Sequence, residues 1–233
     1  MENQLLALLR SEDLERLRPL LERVSVSMKQ VIYQQDGPIE YVYFPIDTIM
    51  SQIATMEDGT VVEVATVGKE GMVGLPAFLR SGRTTLSAFA QVLGEAYRMK
   101  TEDLRAQVDE GGPLVPILLR YTQAVLVQVA QSSACAQLHP VQKRCARWLL
   151  MTHDRVEGDS YPITQEFLCQ MLGVRRATVS EVASSLQQAG FIRYSRGKMT
   201  IVNRKGLEGA ACECYSVIRR EYEISQAESK PTA

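Results

Sequence analysis

Histidine and tryptophan are almost missing from this 233-residue chain, at two and one copies, and aromatic residues make up only 6% of it. Two histidines leave little for general acid–base chemistry. There is no Ser–His–acid order, no phosphate-binding glycine loop and no His-Glu-x-x-His zinc motif. An enzyme is therefore not expected. No apolar run approaches the roughly 20 residues a membrane span needs, and the N-terminus lacks the charged-then-apolar pattern of a secretory signal. The expectation is a cytoplasmic chain without a membrane partner. Five cysteines, at Cys135, Cys145, Cys169, Cys212 and Cys214, make no evenly spaced disulfide framework, in keeping with a reducing compartment.

What is present is ordinary globular composition, 45% hydrophobic and 23% charged. The formal net charge of −1 hides an asymmetry. Between Thr164 and Lys205 there are seven Lys/Arg against two acidic residues, while the rest of the chain has more acid than base. One basic segment in an acidic background is the electrostatic footprint of a phosphate-facing surface.

Along the chain, Leu5, Leu6 and Leu9, then Leu14, Leu17, Leu20 and Leu21, recur at helical spacing, with Ser11 placed as an N-cap. From about Val24 the period changes to two. Short strands are read at 31–33, 41–44, 49–53, 61–67 and 89–99, punctuated by Asp36-Gly37-Pro38, Glu57-Asp58-Gly59 and Gly68. Strands this short and evenly spaced predict a small antiparallel β-barrel or jelly roll. Residues 114–135 contain no Gly, and no Pro after Pro116, and carry two apolar seams. One runs through Leu114, Leu118, Tyr121 and Val125, the other through Val115, Leu119, Leu126 and Val129. A long helix that is apolar on more than one face must bury both, one on the barrel and one on a second copy of itself. Leu118, Tyr121, Val125, Leu126 and Val129 are the expected homodimer contacts. A purely intramolecular core helix is the alternative. After Glu221 the chain reads as polar and frayed, and His153 as a surface residue without a partner.

Between these regions lies the most specific pattern. A helix over 164–172, a turn at Gly173, a second helix over 175–189 stopped by Gly190, and a hairpin tipped by Ser195-Arg196-Gly197-Lys198 make a winged helix-turn-helix. A reading helix must bury one stripe and expose donors on the other face. Val179, Val182, Ala183 and Leu186 supply the stripe. Arg175, Arg176, Thr178, Ser180 and Glu181 supply the polar end that enters a major groove of double-stranded DNA. Arg176 has the fork that matches a guanine, and Glu181 is placed to accept from a cytosine or to orient an arginine. Thr164, with Gln165 beside it, caps the bracing helix and offers its N–H groups to a phosphate. Arg196 and Lys198 are the expected phosphate contacts of the wing.

The run from Ile163 to Ser180, with its Gly173 turn and its Arg176-Ala177-Thr178-Val179 segment, resembles the helix-turn-helix of the Crp/Fnr family of transcription regulators. The order of barrel, long helix and DNA-binding unit extends the resemblance over nearly the whole chain. It implies an α+β architecture: a cyclic-nucleotide-binding-like sensor jelly roll (1–112), a dimerisation helix (113–139) and a winged helix-turn-helix domain (140–233). It also implies a homodimer on a pseudo-palindromic operator and a role beside RNA polymerase. In the stretch corresponding to the family's nucleotide cassette, Glu70 is displaced, and Thr84 stands where an Arg is expected, with Arg83 one position off. Cyclic nucleotide is therefore not expected as a cofactor. Gly71, Gly74, Arg83 and Thr84 are the candidate site for another effector anion. At the reading helix Ala177 replaces a Glu found in several members, so a different half-site is expected. The family's iron–sulfur branch clusters cysteines at the N-terminus, and none precedes Cys135 here. Cys135 and His139, four apart, make a thin metal site, and two residues separated by one position on a helix, Cys212 and Cys214, point apart. Buried thiols, with no metal, are the reading. An interaction module that uses the winged helix to dock protein rather than DNA is the competing function.

Overall fold

The computed structural model describes residues 2–229. A 3₁₀ turn (Leu6–Leu8) leads into α1 (Ser11–Leu17). Ser11 is not the cap but the first helical residue. Extended Arg10 occupies the cap position, and its guanidinium is held by the Asp13 carboxylate at 2.9 Å. Then come β1 (Glu22–Val26), β2 (Val31–Tyr33), β3 (Tyr41–Pro45), β4 (Ile49–Thr55), β5 (Val61–Val67), α2 (Leu75–Phe78), β6 (Ser87–Val92), β7 (Gly94–Lys100) and α3 (Thr101–Asp109).

The strands form two antiparallel sheets in the orders β1-β7-β3 and β2-β6-β4-β5. Alternate residues of both, among them Val26, Tyr33, Met50, Val67, Ala88 and Ala96, close on a shared apolar interior. The single strand expected over 89–99 is two strands in different sheets. Its break falls at Leu93, where Asp47 Oδ1 accepts the Glu95 N–H at 2.6 Å and holds the turn.

The second half of the chain carries α4 (Leu114–Leu138), α5 (Val141–His153), β8 (Ser160–Pro162), α6 (Gln165–Leu172), α7 (Arg176–Gln188), β9 (Ile192–Ser195), β10 (Lys198–Ile201), α8 (Arg204–Ala210) and α9 (Cys214–Glu228). Beyond Glu221 the chain is helical as far as Glu228, not frayed, because α4 gives it a partner. Tyr222 is buried there and its hydroxyl donates to Gln128 Oε1 at 2.9 Å. Residues 230–233 lie outside the described residues. His153 is likewise enclosed, with Nε2 3.0 Å from Asp159 Oδ1 and Nδ1 2.7 Å from the Arg204 guanidinium.

The long helix α4 therefore has three faces. Leu118 and Tyr121, expected between subunits, fill the core of their own chain instead. They are wholly buried in a cluster with Val42, Phe44 and Met72, and the Tyr121 hydroxyl donates to the Met72 carbonyl at 2.9 Å. Val125 packs on the edge of the same core. A second face is covered by α9. The third is open: Leu119 and Leu126 are 55% and 60% exposed, with Val115, Thr122 and Val129 half-buried between and beside them. Among the described residues no single helix is long and apolar enough to cross a membrane.

Candidate nucleic-acid interface

Helix α6 starts where Thr164, in extended conformation, accepts the Phe167 N–H on its hydroxyl at 3.1 Å. It ends at Gly173, whose φ of 62° lets the chain turn without the clash a Cβ brings in that region. After two more residues α7 begins at Arg176. Val179, Ala183 and Leu186 are buried beneath it and Val182 is half-buried, so the apolar stripe faces inward. Arg175, Arg176, Ala177 and Glu181 are exposed. The wing is β9 and β10, with β8 on the far edge. Its two-residue tip, Arg196 (φ 50°) and Gly197 (φ 72°), has the paired left-handed backbone of a type I′ hairpin turn. That turn pushes Arg196 outward.

These elements share one surface. Thr164, Gln165, Arg176, Tyr194 and Arg196 line a concavity of 390 Å³ between the start of α6, the start of α7 and the wing tip. Among the described residues no ion pair engages Arg175, Arg176, Arg193, Arg196 or Lys198. The cations are therefore free to meet phosphate, and Glu181 is ion-paired with neither Arg175 nor Arg176. Ser180 is less exposed than Arg175 and Arg176. It is half-buried, and its hydroxyl donates back to the Arg176 carbonyl at 3.1 Å, with Gln165 Oε1 at 3.5 Å. Thr178 is half-buried and Lys198 exposed.

The unit is braced from behind. Arg144 of α5 donates to the Leu172 carbonyl at 2.5 Å and closes the end of α6. The Phe167 ring meets Trp148 of α5 at 6.3 Å and Phe89 of the barrel edge-on at 5.8 Å. Trp148 Nε1 donates to the Glu63 carboxylate of β5, whose pKa burial pushes up. Reading unit and barrel thus share one packed seam.

Residues 143–210 match the model of the Crp-like helix-turn-helix domain, and residues 23–110 match the cyclic nucleotide-binding domain. The chain belongs to the Crp/Fnr family. As in that family, it is a transcription regulator with a DNA-binding helix-turn-helix behind a sensor barrel. The fold is similar to that of FixK2 from Bradyrhizobium japonicum (TM-score 0.69, 21% identity, covering 82% of this chain and 98% of that one). It is also similar to the c-di-GMP-responsive global regulator CLP of Xanthomonas campestris (0.64, 16%, 82% and 99%). A CRP-family transcriptional regulator from Thermus thermophilus matches at 0.63, with 19% identity over 83% of this chain and 99% of its own. No curated protein matches the chain by sequence.

Within this Crp/Fnr barrel three of the four expected effector residues, Gly71, Gly74 and Thr84, are engaged in the barrel's own packing and hydrogen bonds. A Cβ on Gly71 would sit 2.6 Å from the Tyr121 hydroxyl, and one on Gly74 2.8 Å from Val42, so both glycines serve close packing of the barrel wall. Arg83 lies at the surface, 3.8 Å from Asp36. Thr84 is buried, and its hydroxyl is used by the backbone of Leu86 at 3.1 Å. A cavity of 810 Å³ lies between the sheet and α6, lined by Gln34, Asp36, Thr55, Phe89, Glu166 and Phe167 among others, with Arg83 and Thr84 adjoining it at Asp36. Cys212 and Cys214 also depart from expectation. Cys212 lies in the loop from α8 to α9 and Cys214 is the first residue of α9, so the two do not share a helix and are not held pointing apart.

Proposed function

We propose that the chain reads DNA as a homodimer, two copies of α7 entering successive major grooves on one face of the duplex. The single observation that carries this is the convergence of Thr164, Gln165, Arg176 and Arg196 on one unpaired cationic surface at the N-terminal end of α7. Arg176 reads a guanine through O6 and N7, Arg175 and Thr178 flank it, and Arg196 and Lys198 hold phosphates at the wing. Glu181, exposed one turn on, accepts from a cytosine amino group.

The second copy is expected on the open face of α4. Val115, Leu119, Thr122, Leu126 and Val129 recur at the three- and four-residue steps of a coiled-coil seam. With Leu119 55% and Leu126 60% exposed, leaving that surface in water forgoes roughly half of the 1.5–3 kcal/mol that full burial of such a side chain brings. The division of labour is a sensor barrel (1–112), a dimer helix (113–139) and a reading domain (140–233). No catalytic step is assigned, and contact with RNA polymerase follows from the regulator's role. Its place of work is the cytoplasm, where its DNA is. An effector seated in the 810 Å³ cavity would touch barrel and α6 together, and so would bias how the reading unit is held.

Selection of bound fragments from a random-sequence duplex pool, with no ligand added, tests the reading. A two-fold-symmetric site with half-sites about one helical turn apart supports it. A surface that docks protein selects no sequence, and binding that survives high salt would favour that second reading.

A further inference from the structure

Four side chains with no part in the DNA-reading surface come together where α4 ends. Cys135 sits on the last turn of α4, and His139 is the residue that closes it before Pro140. Cys212 and Cys214 approach from the loop into α9, 77 residues on from Cys135 in the closest pair. One ligand atom from each of the four lies within 4.8 Å of every other. Cys135 Sγ and Cys212 Sγ are 3.5 Å apart, and Cys214 Sγ is 3.4 Å from His139 Nδ1. With Zn–S arms of about 2.3 Å, a tetrahedral site has sulfur–sulfur edges of about 3.8 Å. The cluster is already at that scale.

Its surroundings suit a cation better than a set of packed thiols. His139 turns Nδ1 to the sulfurs and Nε2 to Glu213 Oε1 at 3.2 Å, the carboxylate–imidazole pairing that orients a metal-bound histidine. Gln131 Nε2 donates to Cys214 Sγ at 3.2 Å, a bond that stabilises a thiolate. Buried Arg147 donates to Ser132, one turn before Cys135 on α4, at 3.4 Å, and its Nε has no partner among the described residues. Three thiolates, a neutral imidazole and a divalent ion sum to one negative charge, which that guanidinium offsets. Without an ion, the cluster would leave weak S–H donors beside a side-chain amide placed to donate to them.

We propose that Cys135, His139, Cys212 and Cys214 form a Cys3His site for a thiophilic divalent cation, zinc by its chemistry, that ties the loop before α9 to the joint between α4 and α5. Three thiolates and an imidazole with no carboxylate ligand select zinc-class ions over magnesium or calcium. The joint sets how the reading unit hangs from the long helix, so an ion there fixes that geometry whether or not DNA is bound.

The test is Co²⁺ titration of the full chain, reduced and stripped by chelator, under anaerobic conditions. One cobalt per chain is expected, with the visible bands of tetrahedral Co²⁺ and sulfur-to-cobalt charge transfer, bleached by equimolar Zn²⁺. Cys212→Ser and Cys214→Ser should each lose charge-transfer intensity. Glu213→Gln, at an exposed position that leaves folding intact, should weaken binding by about 10–100-fold. Cys169→Ser, outside the cluster, should bind as the parent does. A chain with free thiols that takes up no cobalt, a spectrum without charge transfer, or parent-like binding by Glu213→Gln and Cys212→Ser together would overturn the site.

Discussion

Glu70 and Arg155 form an enclosed ion pair, Oε1 to Nε at 2.7 Å with the two side chains 12% and 6% exposed, and it joins the barrel to the segment that follows α5. Each partner is also bonded locally. Glu70 Oε1 accepts the Gly68 N–H at 3.1 Å, and Arg155 donates to the Met151 carbonyl at 2.6 Å. The glutamate displaced from the family's nucleotide cassette is thus spent on holding two parts of the chain together.

Breaking this pair from one side leaves a buried charge alone. Arg155→Ala should destabilise the fold by about 3–5 kcal/mol. Joining it to Glu70→Leu should recover most of that loss, since replacing both charges removes the uncompensated one. Denaturant midpoints of the two single variants and the double variant decide it. Additive losses would mean the two residues act separately.

Glu63 supplies a pH dependence with a definite sign. Burial raises its pKa, against the opposing bonds from Ser51 and Trp148, and one of its oxygens has no partner among the described residues. A carboxyl whose folded pKa lies above its unfolded value of about 4.3 stabilises the fold in full below that value. The contribution is lost as pH rises through the folded pKa. Glu63→Gln should therefore be more stable than the parent at neutral pH, and the difference should vanish in acid. Thermal midpoints of both proteins across that range test it, and a difference that grows in acid would contradict it.

The two seams of α4 should respond differently. Leu118→Ala, on the buried face, should cost about 2–5 kcal/mol of stability and leave assembly intact. Leu119→Asp with Leu126→Asp, on the open face, should leave the fold intact and turn the dimer into monomers. Sedimentation velocity beside circular dichroism separates the two effects. A parent chain that is itself monomeric at micromolar concentration would remove the proposed seam.

The reading unit was legible because its turns are written in local chemistry. Gly173 and the Arg196-Gly197 tip specify backbone that few other residues adopt, and the Val179–Leu186 stripe has one period. Strands β2 to β5 were legible for the same reason, whereas β1 was not read as a strand and β6 and β7 were read as one. What was hidden depends on partners distant in sequence. Leu118 and Leu119 are both apolar, and only the position of Met72 and Phe44 decides which one is inside. Tyr222 sits in a segment polar enough to read as frayed until α4 is beside it. Ser180 has the residue type and helix position of a base contact, yet its side chain turns back on its own helix. The cysteines lie in two stretches of sequence, and their convergence rests on α9 folding back along α4.

The central claim is that the surface at the start of α7 reads DNA, and competition binding to a selected site across a salt series tests it most directly. Arg176→Ala should cost about 1–3 kcal/mol and abolish preference at one base pair of each half-site, while Arg196→Ala should weaken all duplexes alike and lower the salt slope by about one. Binding that ignores salt, or that both variants leave unchanged, would contradict the account.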